Sequence, residues 1–521
     1  MGEDMLVMKG ITKIYPNGVM ANDRVDFSVR KGEIHALMGE NGAGKSTLMN
    51  ILFGEYQPEE GTITLNGKQV TIESSSQAIA LGIGMVHQHF MLVNSLTVAQ
   101  NIYLGIEPKL KSGLVDEKRM VADAKILAEQ YNFKIEPEER IADIPVGMRQ
   151  KVEILKALAR GAEILILDEP TAVLTPQETD ELFHELELFR EAGHTIIFIS
   201  HKLKEIKQIC DRITIMKNGR SVGTYDMREM DVQKISRMMV GRDVVTGIEK
   251  TPAQPGKTLL KVWNLSCCND EGAQVLKNVS FSVRGGEIVG VAGVEGNGQT
   301  ELVECITGSR REYTGKIELA GRSNTGCSVA RIRHNGLGHI PEDRMTQGLA
   351  GDASIEENLI ADKLGQPSIG WGPFLSSGKI RALSQQLVED FQIKCASGKQ
   401  LLSMLSGGNM QKVVVAREVS SQPQVMVANQ PTRGVDVGAS EFIHEKLLDL
   451  RDSGKAVFLV SADLNEVIEL SDSLMVLYGG EIVAWFPDAS KVDERELGYY
   501  MLGLKKQSAE EIRGAIHEEE K

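Results

Sequence analysis

Short apolar runs alternate with longer amphipathic stretches along the chain. The runs Ile34–Met38, Ile164–Leu167 and Thr195–Ile199 are four or five residues long and mostly apolar, which predicts buried strands. A helical pattern follows the first run, because apolar side chains within 48–53 recur at helical spacing before Gly54 ends the segment. Strands that alternate with helices predict an α/β fold with a largely parallel sheet.

The alternating pattern occurs twice. Phe27–Ile34 reads FSVRKGEI and recurs as FSVRGGEI at Phe281–Ile288, an offset of 254 residues (281 − 27). Further along, Asp168–Thr171 reads DEPT and recurs as NQPT at Asn429–Thr432, so the offset grows to 261 (429 − 168). The second copy therefore carries about seven additional residues (261 − 254), which we expect in surface loops. This spacing indicates one domain duplicated once, not a solenoid.

The duplication and the composition between the copies set the domain boundaries. We predict four segments: a first domain at 1–245, a linker at 246–257, a second domain at 258–505 and an acidic tail at 506–521. Pro252, Pro255 and Gly256 indicate the linker, because they favour loops over regular elements. The tail runs into Glu518–Glu520, and we expect a solvated or frayed helix from Ser508 onward.

Composition narrows the class of protein. A chain of 521 residues is too long for one core, and its 42% apolar and 25% charged content is typical of soluble globular domains. The net charge of −14 argues against a nucleic-acid partner. The six cysteines lack metal-ligand spacing, so we expect reduced thiols in a cytoplasmic protein. Because no apolar run approaches the ~20 residues of a membrane helix, we expect no membrane span.

The loop after the first strand carries the strongest chemical signal. Gly39–Thr47 reads GENGAGKST and matches the pattern G-x-x-x-x-G-K-S/T between a strand and a helix. Its glycines let successive N–H groups face one concavity, and the helix N-terminus adds the positive end of its dipole. Lys45 would then neutralise the β- and γ-phosphates, and Ser46 would offer a hydroxyl to Mg²⁺. The alternative is a glycine-rich turn that only closes a β–α unit.

Two carboxylates end the predicted strand Ile164–Leu167. We assign Asp168 to a hydrated Mg²⁺, and Glu169 to the base that positions and polarises an attacking water. Acidic pairs after a strand are also common as helix N-caps. The pair is therefore informative only together with Lys45, which lies 123 residues earlier (168 − 45).

Three further side chains are candidates for the same site. His201 follows the predicted strand Thr195–Ile199, and this position favours a γ-phosphate contact over the structural role that a lone histidine more often has. Gln88 could reach both Mg²⁺ and water. Tyr15 lies thirty residues before Lys45 and could stack on adenine, with half-buried packing as the alternative.

These motifs, in this order, resemble the nucleotide-binding domain of ABC transporters, and the resemblance covers nearly the whole chain. The A-loop, Walker A, the Q-loop, Walker B and the switch histidine fall at Tyr15, Gly39–Thr47, Gln88, Ile164–Glu169 and His201. The resemblance implies an α/β fold of two fused P-loop ABC-type ATPase domains. Each would have a RecA-like α/β core, an antiparallel β subdomain and a helical subdomain.

The resemblance also implies a nucleotide, a metal and their contacts. ATP and Mg²⁺ are expected, with Glu169, His201 and Gln88 in catalysis, and with Ser46, Gln88 and Asp168 near the metal. The family's signature LSGGQ acts in trans on the other domain's ATP, and it stands in the second half as LSGGN at Leu405–Asn409. The expected ATP contacts are Tyr15, Gly39, Asn41, Gly42, Ala43, Gly44, Lys45, Ser46, Thr47, Ser406, Gly407 and Gly408.

Each half lacks a different part of this set. In the first half the signature reads IPVGM at Ile144–Met148, where Pro145 replaces the serine and brings neither a hydroxyl nor an N–H. The second half differs at the A-loop tyrosine, the Walker lysine, the Q-loop glutamine, both Walker B carboxylates and the switch histidine, with Asn269, Gln299, Glu342, Asn429, Gln430 and Ala462. Paired head-to-tail as in the family, the halves would form one working ATPase site and one structural or regulatory site.

Tandem domains with an altered second half resemble the ATP-binding subunit of bacterial simple-sugar importers. The segments Pro341–Arg344 and Pro431–Ala439 are marks of that family's second half, and Ala428–Pro431 is similar to the nucleoside-importing branch. The resemblance implies two transmembrane permease subunits as partners and, through them, an extracytoplasmic nucleoside- or sugar-binding lipoprotein, with no nucleic acid. It places the chain peripherally on the cytoplasmic face of the cell membrane.

Two other classes of protein remain as alternatives. A soluble ABC-F translation factor also has two fused domains, but such factors resemble two intact ATPases joined by a long basic segment. The connector here is short and mixed in charge. A nucleotide-binding regulator without turnover is opposed by the intact residues Lys45, Asp168, Glu169 and His201. Ribosome cosedimentation and copurification with permeases separate the translation factor from the importer subunit.

An apolar segment after Gln88 predicts a docking surface. Phe90–Val93 falls in a predicted loop, and in the resembled family the Q-loop links the γ-phosphate to a surface groove that receives a permease helix. Leu96 and Val98 are instead expected to pack beneath the helical subdomain.

Overall fold

The chain divides into two units, unit 1 at Met1–Val244 and unit 2 at Val245–Lys521. The computed structural model describes residues 4–16, 18–88, 90–172, 174–200, 202–231, 234–235, 237–238, 248, 250–269, 272–371 and 374–515. Each unit contains a six-stranded sheet, a four-stranded antiparallel sheet and a set of helices. The predicted α/β architecture is thus present in both copies.

Unit 1 is built on two sheets. Its described strands are β1 (Asp4–Ile14), β2 (Met20–Arg30), β3 (Ile34–Gly39), β4 (Glu60–Leu65), β5 (Lys68–Val70), β6 (Ile83–Val86), β7 (Ile164–Asp168), β8 (Thr195–Ile199), β9 (Arg212–Lys217) and β10 (Arg220–Asp226). The six-stranded sheet has the order β10-β9-β3-β8-β7-β6, and only β9 and β10 pair antiparallel. The second sheet has the order β2-β1-β4-β5.

The helices of unit 1 begin where the sequence supplies caps. The described helices are α1 (Lys45–Leu52), α2 (Ser75–Ala80), α3 (Val98–Ile102), α4 (Glu117–Gln130), α5 (Val146–Ala159), α6 (Pro176–Glu191) and α7 (Leu203–Ile209). Single 3₁₀ turns lie at Ile141–Asp143 and Met227–Glu229. In α6, Thr175 and Glu178 form a capping box and Pro176 occupies the first turn, an arrangement that satisfies free N–H groups at the helix start.

Burial on both faces explains the uninterrupted apolar strands of unit 1. Ile164 and Ile166 of β7 pack in the core shared with the antiparallel sheet and α1, whereas Leu165 and Leu167 pack in the core formed with the helices. Successive side chains of a strand point to opposite faces, so a sheet covered on both sides requires apolar residues at every position. The strands predicted at 34–38, 164–167 and 195–199 are therefore confirmed.

Unit 2 repeats this arrangement. Its described strands are β11 (Thr258–Cys268), β12 (Gln274–Arg284), β13 (Glu287–Ala292), β14 (Tyr313–Leu319), β15 (Arg322–Ser323), β16 (Leu337–Ile340), β17 (Gly370–Trp371), β18 (Phe374–Leu375), β19 (Val425–Asn429), β20 (Ala456–Val460), β21 (Ser473–Tyr478) and β22 (Glu481–Phe486). The six-stranded sheet has the order β16-β19-β20-β13-β21-β22, and β12-β11-β14-β15 form the antiparallel sheet. Strand for strand, this is the topology of unit 1.

The first seven helices of unit 2 match the seven described helices of unit 1 in order, and two more follow them. The described helices are α8 (Gln299–Thr307), α9 (Val329–His334), α10 (Ile355–Ile360), α11 (Ser377–Asp390), α12 (Gly407–Ser420), α13 (Val437–Asp452), α14 (Leu464–Leu470), α15 (Glu494–Met501) and α16 (Ala509–Ala515). Further turns lie at Leu402–Met404 and Ala489–Lys491, and a π-helical turn spans Arg344–Gly348.

The additional residues of the second copy fall between the elements that the two copies share. The offset is 254 at the strand starts of β6 and β16 (337 − 83), 257 at α3 and α10 (355 − 98) and 260 at α4 and α11 (377 − 117). The first increase coincides with the π-helical turn, and the second with the small sheet of β17 and β18. Trp371 and Phe374 of that sheet are strongly exposed.

The segment predicted as an acidic tail contributes to the core of unit 2. The side chain of Gln507 accepts a hydrogen bond from the N–H of Trp485 at 2.8 Å, and Ile512 of α16 is buried with the core around β11 and β12. The prediction of a solvated or frayed helix from Ser508 therefore needs correction at Ile512, because one apolar side chain anchors the helix. No helix among the described residues has the length and apolar character needed to cross a membrane.

Candidate nucleotide-binding site

The glycine-rich loop of unit 1 joins a fully buried strand to a helix. Gly44 precedes α1 with a left-handed φ of 94°, and a Cβ at this position would lie 2.3 Å from the carbonyl oxygen of Ala21. Asn22 donates its side-chain amide to the carbonyl of Gly44 at 3.1 Å. Only glycine fits this turn, so the loop is held in shape from strand β2 as well as by its own sequence.

Lys45 follows the glycine-rich loop in sequence, and its side chain folds back against the carbonyls of that loop. Its ammonium is 6% exposed and donates to the carbonyl oxygens of Gly39 at 2.7 Å and Glu40 at 3.1 Å. Burial lowers the pKa of Lys45, and the charges of Asp168 and Glu169 partly offset that effect. A buried cation that faces the loop and two carboxylates is a suitable counter-charge for a polyphosphate.

Asp168 ends strand β7 and receives a hydrogen bond from the hydroxyl of Ser46. Burial raises the pKa of Asp168, and the adjacent Glu169 carboxylate raises it further. Among the described residues, no three His, Cys, Asp or Glu side chains converge on a metal site. A pair made of one hydroxyl and one carboxylate nevertheless fits Mg²⁺, which keeps several waters and takes further oxygens from phosphate.

Glu169 is held in an uncommon backbone conformation. Its φ is +48°, and its N–H donates to the carbonyl of Ile199 on the next strand at 2.9 Å. The side-chain amide of Gln88 donates to Oε2 of Glu169 at 3.1 Å. Gln430, the matching residue of unit 2, has a φ of +50°. Positive φ at a non-glycine residue in both copies is strain that the fold imposes, and such strain concentrates at functional sites.

Tyr15 is half-buried at the edge of the loop. Its hydroxyl lies 2.9 Å from Oγ1 of Thr47, and its ring contacts Tyr56 edge-on with centroids 5.8 Å apart. The half-buried packing named as the alternative for Tyr15 is present in the structure, and stacking on adenine stays a prediction. The structure thus brings Tyr15, Gln88, Asp168 and Glu169 together with Gly39–Thr47 in unit 1.

His201 lies outside the described residues, but the residues around it are placed. Ser200 is buried, and its hydroxyl donates to Glu205 at 3.1 Å and accepts from the N–H of Lys202 at 3.0 Å. The hydroxyl of Thr171, just after the Walker B pair, donates to the same Glu205 carboxylate at 2.7 Å. This network ties the ends of β7 and β8 to one buried anion.

In unit 2 the residues that match Lys45 and Glu169 have side chains of similar length but without charge. Gln299 replaces Lys45 and donates its side-chain amide to the carbonyl of Val294, one of the two matching loop carbonyls, at 3.2 Å. Its own amide oxygen is buried without a partner among the described residues. The side-chain oxygen of Gln430 accepts the N–H of Ala462 at 3.0 Å. Gln299 and Gln430 are uncharged, whereas Lys45 and Glu169 at the matching positions of unit 1 carry charge.

The signature turns of the two units also differ. Ser406 caps α12, and its hydroxyl accepts a hydrogen bond from the side-chain amide of Asn409 at 2.8 Å. A Cβ at Gly408 would lie 2.6 Å from Oδ2 of Asp436, so a larger residue there would have to displace that carboxylate. In unit 1, Pro145 stands at the cap of α5 and supplies no side-chain hydrogen bond. Ser406, Gly407 and Gly408 thus form a capped helix start in unit 2.

The segment after Gln88 lines a cavity of about 130 Å³ in unit 1. Met91 is exposed, and its backbone is held on both sides: its N–H donates to Glu153 at 2.6 Å and its carbonyl accepts from Lys156 at 2.7 Å. Val98 is fully buried, which confirms its expected packing. The cavity is lined by Phe53, Ile79, Ile83, Gly84, Met85, His87, Met91, Glu153, Lys156, Ala157, Arg160 and Ala162.

Two contributors to the site were not found from the sequence. Asn22 holds the carbonyl of Gly44, and Glu205 gathers the hydroxyls of Thr171 and Ser200. Both are single polar residues at ordinary positions. A comparison of the two copies could have indicated Asn22. Leu276 stands at its position, 254 residues later, in the copy whose phosphate loop is altered.

A glycine-rich loop before a helix, a buried lysine and a pair of carboxylates at one edge of a parallel sheet are the features of a P-loop ATPase site. The model of the ABC transporter family matches residues 22–172 and 276–433 of this chain. The chain therefore belongs to the ABC transporter ATP-binding family, whose members hydrolyse ATP, and it carries two such domains in tandem.

Several curated proteins of the same tandem form are similar along nearly their whole length. The guanosine import ATP-binding protein NupO of Bacillus subtilis is 45% identical, covering 98% of this chain and 100% of that protein. The nucleoside import ATP-binding protein NupA of Lactococcus lactis is 44% identical, covering 96% and 98%. The ribose import ATP-binding protein RbsA 1 of Rubrobacter xylanophilus is 39% identical, again covering 96% and 98%.

Proposed function

We propose that this chain is the ATP-hydrolysing subunit that powers an importer of nucleosides or related simple sugars, with one catalytic ATP site and one degenerate site. The observation that carries the proposal is a contrast at three matching positions of one fold. Unit 1 has Lys45, Asp168 and Glu169, where unit 2 has Gln299, Asn429 and Gln430.

In unit 1 each charged group has a distinct task. Lys45 exchanges the loop carbonyls for phosphate oxygens when ATP binds, because a phosphate is the stronger acceptor for a buried ammonium. Glu169 accepts a proton from the attacking water, and Gln88 orients its carboxylate through the 3.1 Å hydrogen bond. Ser46 and Asp168 would hold Mg²⁺, which supplies charge neutralisation at the phosphates. His201 is assigned to the γ-phosphate.

In unit 2 the residues at the same positions can preserve the shape of the site, but they cannot catalyse the hydrolysis of ATP. A carboxamide in place of the base cannot accept the proton of water, and losing a general base typically costs about 10²–10⁴-fold in rate. The amide of Gln299 carries no charge to replace that of Lys45. We therefore assign unit 2 a structural or regulatory site.

The signature residues complete the catalytic site in this proposal. Head-to-tail pairing, as in the resembled family, gives the ATP of unit 1 the hydroxyl of Ser406, the small turn of Gly407 and Gly408, and the N-terminus of α12. The degenerate site receives Pro145 instead. The defects of both units then fall in the same composite site, which random loss of residues would not be expected to produce.

The names of the relatives support our choice of transported compound and of partners. Two of them are named for guanosine or nucleoside import at 45% and 44% identity, and another for ribose import at 39%. We therefore favour a nucleoside. Two permease subunits at the membrane would receive the chain on their cytoplasmic face, through Phe90–Val93 and the adjoining cavity, and a nucleoside- or sugar-binding lipoprotein would deliver the compound outside.

Uptake by the assembled transporter tests this function. The chain is expressed with candidate permease subunits and a candidate binding protein, and ATP-dependent uptake of labelled guanosine is compared with that of labelled ribose. Guanosine uptake that requires Lys45 is expected. Failure to copurify with the permeases, together with cosedimentation with ribosomes, would favour the translation-factor alternative. Uptake of ribose alone would keep the importer and correct the substrate.

A further inference from the structure

A cluster of three charged side chains in unit 2 joins the Q-loop position to the signature turn. Glu342 stands where Gln88 stands in unit 1, at the 254-residue offset (342 − 88), and it pairs with the side chain of Arg433. Arg344 begins the π-helical turn two residues later. The cluster uses none of the residues assigned above to ATP.

Arg344 binds main-chain oxygens instead of a carboxylate. Its Nη1 donates to the carbonyl of Arg433 at 2.7 Å, and its Nη2 lies 3.4 Å from the carbonyl of Gly434. The guanidinium and the Glu342–Arg433 pair therefore connect the same two segments twice, once through main chain and once through side chains. A planar fork with several donors suits two neighbouring carbonyls in a way that a lysine ammonium does not.

The same guanidinium lies against the signature turn. A Cβ on Gly407 would be 2.9 Å from Nη2 of Arg344 and 3.2 Å from the carbonyl of Gly434. On the other side, a Cβ on Gly408 would be 2.6 Å from Asp436, which caps α13. The turn that follows Ser406 is thus confined between Arg344 and the segment Gly434–Asp436.

Partial burial of the Arg344 side chain lowers the stability of the fold. Burial lowers the pKa of Arg344, and its Nε is buried without a hydrogen-bond partner among the described residues. An unsatisfied buried donor destabilises the folded state. Such groups are retained where a fixed geometry matters more than local stability.

Unit 1 has none of the three charged side chains of this cluster. Gln88, Phe90 and Ala172 stand at the positions of Glu342, Arg344 and Arg433, and Val146 stands at the position of Gly407. Unit 1 is also the unit whose signature has Pro145 in place of serine. The cluster therefore occurs in the unit whose signature retains the serine hydroxyl.

We propose that Arg344 is a positioning residue for the signature: it fixes the Ser406–Gly408 turn in the geometry that serves the ATP of unit 1. This inference rests on the proposed trans role of Ser406. Arg344 touches no nucleotide in this scheme, so its loss lowers kcat through a displaced hydroxyl and leaves the binding of ATP to unit 1 unchanged.

The test is a double-mutant cycle in the assembled transporter, with ATPase kinetics measured for Arg344→Ala, Ser406→Ala and the double variant. We expect Arg344→Ala to lower kcat about ten- to a hundred-fold, as a small misplacement of a reacting group does, with KM for ATP unchanged. In the Ser406→Ala background the same change is expected to cost almost nothing. Arg381→Ala, which removes an exposed arginine from α11, is the matched control and should leave kcat unchanged.

Three results separate the possible failures. If the losses of the two single variants multiply in the double variant, or if Arg344→Ala keeps full kcat, the positioning role is wrong. If Ser406→Ala alone leaves turnover unchanged, the trans signature of the proposed function is wrong. If Arg344→Ala does not fold, Arg344→Lys serves in its place: it keeps the charge but reaches only one carbonyl, so reduced kcat at unchanged KM is expected, and full kcat would overturn the proposal.

Discussion

Replacing Glu169 by glutamine isolates the chemistry of the proposed base from the fold around it. The chain itself shows that a glutamine fits, because Gln430 occupies the matching position of unit 2 with a φ of +50° against +48° for Glu169. The hydrogen bond from Gln88 also persists, since a carboxamide oxygen accepts it as a carboxylate does. What the substitution removes is the negative charge that takes the proton from water.

The expected loss follows from that charge. Removing a general base typically slows a reaction about 10²–10⁴-fold, which corresponds to about 3–5 kcal/mol of transition-state stabilisation. We expect Glu169→Gln to lower steady-state phosphate release of the assembled transporter by this factor at saturating ATP. Binding of a fluorescent ATP analogue should be retained. Gln430→Ala and Gln299→Ala are the matched controls in unit 2 and should keep turnover, and equal silencing by either control would refute the one-site assignment.

Three further predictions concern the signature, the docking segment and pH. Ser406→Ala should cut turnover strongly and Pro145→Ser should change it little, and the opposite pattern in an ATPase assay would overturn the head-to-tail pairing. Met91→Asp should abolish copurification with the permeases while nucleotide binding persists, whereas the exposed control Ile126→Asp should copurify normally; a Met91→Asp chain that melts early would show a core role instead. Burial raises the pKa of Glu185 from 4.5 to about 7, so the native state binds more protons than the unfolded state in this window and unit 1 should lose stability as pH rises through it. Glu185→Gln should flatten that slope in urea titrations at pH 5, 6, 7 and 8, and an unchanged slope would assign it to other groups.

Much of the fold followed from the sequence because burial leaves a direct mark on it. Strands β7 and β8 are covered on both faces, so Ile164–Leu167 and Ile196–Ile199 are apolar at every position, which distinguishes them from loops. The phosphate loop was equally visible, since Gly44 must adopt a left-handed φ and Lys45 must follow it. Duplication added a second check, because each motif could be sought again at a fixed offset.

The contacts that the sequence did not show join residues far apart in the chain. Arg344 reaches carbonyls 89 and 90 residues away, and these oxygens belong to the main chain, so no side-chain pattern marks them. Asn22 supports Gly44 in the same manner. The tail prediction failed at Ile512 for a related reason: its burial depends on packing in the core around β11 and β12, which lie far earlier in the chain. Such contacts depend on how elements pack, which composition and spacing do not encode.

Trapping with vanadate tests the central claim, that ATP is hydrolysed only at the site built on unit 1. Vanadate retains the nucleoside diphosphate only where turnover has occurred, so with a photoreactive azido-ATP as substrate the trapped nucleotide can be cross-linked by light and counted per chain. It is then assigned to a unit after cleavage at a protease site placed between Pro252 and Pro255. We expect one trapped nucleotide for each chain of the assembled transporter, bound to the fragment that carries Lys45 and Glu169. Two trapped nucleotides per chain, or one that stays with the fragment carrying Gln299, would contradict the assignment.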